Sequence, residues 1–99
     1  MSRYLIQFET RPLEGRVEEY HNWYNSVHVP DMLSIPGFKT CERYRVLGIE
    51  GADNYIAAYV VDCDDPRQLI AELASLTSSM TISPALDPTF YRVHILEPI

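Results

Sequence analysis

Apolar and polar positions alternate along Arg3–Glu9. Tyr4, Ile6 and Phe8 fall on one side, Leu5 and Gln7 on the other, and a period of two marks a β-strand. Thr10–Gly15 holds Pro12 and Gly15 and reads as a loop. From Arg16 the period changes. At about 100° per residue, Arg16–His28 collects Val17, Tyr20, His21, Trp23, Tyr24, Val27 and His28 on one arc of roughly 160°. Glu18, Glu19, Asn22, Asn25 and Ser26 fill the other side, as in a helix with one face on a core. His21, Tyr24 and His28 are spaced to meet at one edge of that arc. Val29 precedes Pro30, which disfavours the α region there, so the helix is expected to stop near His28. Pro30 and Asp31 suit the first turn of a short helix, Pro30–Ser34, and Pro36-Gly37 is a turn.

Phe38–Leu47 alternates again, with Phe38, Thr40, Glu42, Tyr44 and Val46 expected on one face and Lys39, Cys41, Arg43, Arg45 and Leu47 on the other. Gly48–Asn54 is a hairpin connection. Tyr55–Asp62 is apolar on both sides: Tyr55, Ala57, Tyr59 and Val61 point one way, Ile56, Ala58 and Val60 the other. Asp65 is a good N-cap for a second helix, with Pro66 at its first position, Gln68 placed to close a capping box, and an aliphatic stripe of Leu69, Ile70, Leu73 and Leu76. Ser78–Pro88 is polar and irregular. Thr89–Leu96 is a last strand, with Tyr91, Val93 and Ile95 opposite Phe90, Arg92, His94 and Leu96.

The order β-α-β-β-α-β in one domain of 99 residues predicts an α+β fold. Specifically it predicts a ferredoxin-like plait, a four-stranded antiparallel sheet with two helices on one face. The doubly apolar third strand asks for cover on the other face as well. A second copy packed sheet to sheet, a homodimer, supplies it most economically.

Composition narrows the function. A net charge of −6 speaks against a nucleic-acid partner and against anionic membrane surfaces. No apolar run approaches a membrane span of ~20 residues, and the N-terminus lacks signal-peptide anatomy, so a cytoplasmic protein is expected. Cys41 and Cys63 lie in predicted strands and read as buried reduced thiols. Phosphate-binding glycine loops, zinc spacings and nucleophile elbows do not occur, so neither metal nor cofactor is expected.

Trp23-Tyr24, His28-Val29-Pro30-Asp31, Leu33 and Ile35-Pro36-Gly37-Phe38 together resemble a pattern of the dimeric α+β barrel superfamily, in its EthD-like and related small-protein branches. The motif covers about a quarter of the chain, and the element order covers the rest. The resemblance implies a homodimer with a pocket between helices and sheet, near the His that ends the first helix. It also implies a choice among polyketide cyclase, muconolactone-type isomerase, dehydratase, cofactorless monooxygenase and haem-degrading chemistry, and the superfamily includes members with no known activity.

His28 is the first candidate for chemistry, because an imidazole moves protons near neutral pH and a helix C-terminus would favour its charged form. The bland alternative has it bracing the turn at Pro30. Tyr24, one turn earlier, can offer its hydroxyl to a substrate oxygen or to His28, or can simply be core. Asp31 could orient His28 or only begin a helix. Tyr44, Tyr59, Tyr91, Trp23, His21 and Glu42 are candidate substrate contacts, each also readable as packing. A pocket walled by such rings suits an apolar aromatic or polyketide-like carbonyl compound. The expected function is a cofactor-free enzyme of the cyclase, isomerase, dehydratase or lyase type. Oxygen chemistry on an aromatic substrate and a non-catalytic ligand-binding dimer are the alternatives.

Overall fold

The computed structural model describes residues 2–49, 51 and 53–99; Met1, and Glu50 and Ala52 of the expected Gly48–Asn54 connection, lie outside them. Its strands are β1 (Ser2–Thr10), β2 (Phe38–Val46), β3 (Asn54–Cys63) and β4 (Arg92–Leu96). Its helices are α1 (Val17–Trp23), a π-helical turn (Tyr24–His28), α2 (Val29–Leu33) and α3 (Pro66–Leu76). The strands form one antiparallel sheet in the order β2-β3-β1-β4. An α+β chain with such a sheet is compatible with a ferredoxin-like plait. No helix of the described residues is long and apolar enough to cross a membrane.

The two strands apolar on both sides, β1 and β3, take the centre. The edges fall to β2 and β4, where Lys39, Arg45 and Arg92 keep the rims charged. One core forms on one face of the sheet. Ile6 and Phe8 of β1 and Ala57, Tyr59 and Val61 of β3 meet Tyr20, Trp23, Tyr24 and Met32 of the first helical run and Leu73 of α3. On the other face Ala58 is buried, Leu5, Ile56 and Val60 are half-buried, and Tyr44 and Leu96 are exposed.

Four expectations change in detail. The helix does not stop at His28, because Val29 is itself helical, at φ −60° and ψ −48°. The Val29 N–H reaches back five residues to the Tyr24 carbonyl, which makes the turn before Pro30 a π-turn. The wider coil stands the preceding carbonyls off from the proline ring, so the chain passes Pro30 without ending. In β2 the ladder slips between Phe38 and Thr40. Phe38 therefore shares the helix side with Cys41, Arg43 and Arg45, while Thr40, Glu42, Tyr44 and Val46 face away. Asp65 caps α3 through Oδ1, 3.1 Å from the Gln68 N–H, but the Gln68 side chain donates forward to Glu72 at 2.9 Å and leaves the box open. Finally, β4 begins at Arg92 rather than Thr89. Asp87 Oδ1 accepts from both the Thr89 N–H and its hydroxyl, and this local turn holds Thr89–Tyr91 off the ladder. Both cysteines are free thiols, half-buried.

Tyr59 is 0% exposed, and its hydroxyl has only the Cys41 thiol beside it, a weak acceptor, and no well-formed hydrogen bond among the described residues. Burial, with Tyr24 and the Cys41 thiol beside it, pushes the phenol far up. A buried hydroxyl without a well-formed bond costs more than it returns. Tyr59→Phe is therefore expected to leave the melting temperature unchanged or raise stability by up to about 1 kcal/mol. A loss larger than that in thermal denaturation would show that the hydroxyl is bonded in solution.

Candidate ligand cavity and its imidazole

Between the sheet and the helices lies a cavity of about 170 Å³. Phe8 and Thr10 of β1 form its floor, and Trp23, Tyr24, His28 and Met32 form one wall. Leu73 and Thr77 at the end of α3, with Ile82, Leu86 and Tyr91 beyond it, complete it.

The π-turn organises the polar end. In a straight α-helix residues five apart diverge, whereas an i→i+5 turn lays one nearly over the other. His28 accordingly stacks on Trp23, with ring centroids 4.8 Å apart and planes at 24°. Its edge meets Tyr24 at 5.1 Å and 82°. The irregular segment after α3 is tied down across the top. Trp23 Nε1 donates to the Thr81 carbonyl at 2.8 Å, Arg16 reaches the Pro84 carbonyl, and Leu13 N–H donates to Ala85 at 2.7 Å. Arg11 holds Asp87 at 2.8 Å. Ser78–Pro88 thus roofs the cavity.

His28 Nδ1 is sealed from solvent and has no hydrogen-bond partner among the described residues. Burial lowers the imidazole pKa, and the nearby Asp31 charge raises it by less. The expected helix-terminus help is absent, since the coil runs on to Leu33. Asp31 makes no bond to Nδ1, so it does not set the tautomer. An imidazolium would carry an N–H on that sealed atom, a second reason for the neutral ring to prevail. Tyr24 is 3% exposed, and burial first, then the Tyr20 phenol, pushes its pKa up, so it stays protonated. Behind it Thr10 Oγ1 and the Tyr20 hydroxyl share a 2.6 Å hydrogen bond, and the Thr10 hydroxyl also acts on the Tyr24 phenol. Arg43 lies over the Tyr24 ring at 4.2 Å and donates to Asn25 at 2.9 Å.

Of the residues singled out from sequence, His28, Tyr24, Trp23 and Tyr91 line the cavity. The others do not. His21 is turned to the open edge, its ring 4.5 Å from that of Tyr55, and burial followed by Arg43 and Arg45 lowers its pKa. It does not join Tyr24 and His28, because the π-turn carries residue 28 toward Trp23. Tyr59 is sunk in the core against Phe8 and Phe38. Glu42 and Tyr44 face away from the helices, with the Tyr44 hydroxyl donating to Glu42 at 2.5 Å. Thr10 and Thr77 were not foreseen. Thr10 could have been found by carrying the β1 alternation, Ile6 and Phe8, one step further; Thr77 carries no such mark. Among the described residues no three His, Cys, Asp or Glu side chains gather so as to hold a metal ion. Compared with known protein families and with curated proteins, the chain finds no match.

Proposed function

We propose that the chain is a cofactor-free enzyme carrying out acid–base chemistry on a small apolar carbonyl compound, of the isomerase, cyclase, dehydratase or lyase type. The observation that carries this is a half-buried imidazole, its pKa lowered by burial, in edge contact with the buried Tyr24 phenol on the wall of one cavity. His28, through Nε2, takes a proton from the carbon beside the carbonyl, and the Tyr24 hydroxyl hydrogen-bonds the oxygen on which charge develops. Serving as a base through Nε2 places the ring's own proton on the sealed Nδ1. The unmatched N–H costs on the order of 1–3 kcal/mol, small beside the 8 kcal/mol or more that enzymes commonly remove from a barrier. The imidazolium keeps that same N–H, so protonation of Nε2 adds no further loss there; burial is what disfavours the charged ring and favours return of the proton to the product.

Proton abstraction alone can be read without the natural substrate. In D2O the methyl protons of acetophenone are expected to exchange faster with the protein than in buffer, followed by NMR. Tyr24→Phe is expected to slow this about 10²–10³-fold, the loss of one oxyanion donor. Exchange at the buffer rate with wild-type protein would remove the acid–base reading.

The active form is proposed to be a homodimer joined through the face of the sheet opposite the helices. Leu5, Ile56 and Val60 there are half-buried, with Tyr44 and Leu96 exposed on the same face, an apolar surface for a second copy. Sedimentation equilibrium at micromolar concentration is expected to give twice 11.4 kDa, and a single 11.4 kDa species would end this part of the reading.

A further inference from the structure

Resting on the reading of the cavity as a substrate site, we infer that it takes a single neutral ring bearing a carbonyl or hydroxyl oxygen and rejects both the ionised counterpart and fused-ring compounds. Size sets the first limit. Closed cavities of about 150 Å³ in other proteins take up benzene, so about 170 Å³ holds one substituted ring, and a fused second ring would have to press on the walls or stand out past Ile82 into water.

Charge sets the second. Among the described residues no Asp, Glu, Lys or Arg lines the cavity. The polar residues of its lining are Thr10, Thr77, Tyr24, Tyr91 and His28; the Thr10 hydroxyl is bonded to Tyr20 and that of Thr77 donates to the Leu73 carbonyl at 2.9 Å, and none of the five brings a fixed charge. Two guanidinium groups lie near its walls without entering the lining, and Arg43 keeps a buried Nε with no partner among the described residues. Arg43 lies on the Tyr24 ring and binds Asn25, while Arg11 binds Asp87 and lies over Phe90. A carboxylate or phenolate entering this lining would give up water and gain no cation, which is costly. A neutral oxygen brings no charge to desolvate and so loses far less. Aromatic and aliphatic walls, Phe8, Trp23, Met32, Leu73 and Leu86, suit the face and rim of one ring.

The chain has one Trp, and its indole lines the cavity, so the Trp23 indole N–H signal reports occupancy by NMR. The full chain is titrated at neutral pH with acetophenone, with its near-isosteric anion benzoate, and with 2-acetylnaphthalene. Acetophenone is expected to shift the signal saturably, and benzoate to bind about 30-fold or more weakly because its charge stays unpaired. The naphthyl ketone is expected to bind at least about 10-fold more weakly, since overfilling strains the walls. Ile82 stands half exposed at the mouth, where Ile82→Arg is tolerable and supplies the missing cation. In that variant the gap between benzoate and acetophenone is expected to narrow about 10-fold.

Benzoate binding as tightly as acetophenone overturns the charge selection, and tighter naphthyl binding overturns the size limit. Both outcomes leave the cavity standing as a substrate site. An unchanged gap in Ile82→Arg places the binding elsewhere and overturns the inference. If none of the three shifts the signal, this inference falls together with the substrate-site reading. Binding as described without any proton exchange would overturn the acid–base chemistry alone.

Discussion

His28→Asn is expected to cut the acetophenone proton exchange by a factor on the order of 10²–10⁴, the range that a positioned general base contributes. Asparagine is smaller than the imidazole and stays neutral, so the Trp23 wall keeps a planar polar neighbour while the basic nitrogen is lost. The pH profile sharpens the expectation. Only the neutral ring can take a proton, and burial holds its pKa below the ordinary 6.5. Wild-type exchange is therefore expected to rise with pH through a midpoint below 6.5 and to be flat from there upward until the buffer reaction takes over. The variant loses this step. A wild-type midpoint above 6.5, or a variant as fast as wild type with an unchanged far-ultraviolet spectrum, would take His28 out of the chemistry. Stability follows the same sign. Between the lowered folded pKa and 6.5 the unfolded chain holds more protons, so His28 costs stability as pH falls through that window.

Gly37→Ala is expected to be the most destabilising small substitution in the chain, by about 3 kcal/mol or more. Gly37 has φ +94°, where a side chain is strained, and a Cβ there would meet the Asp62 carbonyl oxygen at 2.4 Å. That backbone cannot retreat cheaply, because the Asp62 N–H donates to the Gly37 carbonyl at 2.8 Å. The contact seats the Pro36-Gly37 turn on the end of β3. From there it sets where Phe38 enters the core and where Ile35 and Met32 stand. Against a total stability of 5–15 kcal/mol typical of such domains, a loss of this size is large. Gly15→Ala provides the comparison: its φ is +78°, but nothing lies within 4 Å of the added Cβ, so only about 1–2 kcal/mol is expected. Urea midpoints measure both. Equal losses would mean that close approach to Asp62 plays no part.

Much of the fold was legible because each strand and helix carries its own period. Ile6 and Phe8 alternate with Leu5 and Gln7, and Tyr59 and Val61 with Ala58 and Val60; the structure puts each set on its expected side. Asp65 and Pro66 mark the start of α3, and the cap forms as read. Local geometry governs all of these, and a residue's neighbours in sequence suffice to express it. The candidate site was legible only in part. His28, Tyr24, Trp23 and Tyr91 were named from residue type and motif, but Glu42 and Tyr44 were placed with Phe38 by strict alternation. One slip of the β2 ladder undid that.

By itself, then, the sequence determined the element order, the cores of the strands, the cap of α3 and the ring-rich face of the first helix. The backbone periods of two and 3.6 are set residue by residue. Only the tertiary structure decided that Trp23, not His21, is the neighbour of His28, and that Thr81 meets Trp23, 58 positions earlier, while Leu86 pairs with Pro12. A π-turn is a compromise between Pro30 and the packing on both sides of it. A cavity is the space left when segments distant in sequence meet without filling it, and no single segment carries the record of what it leaves empty.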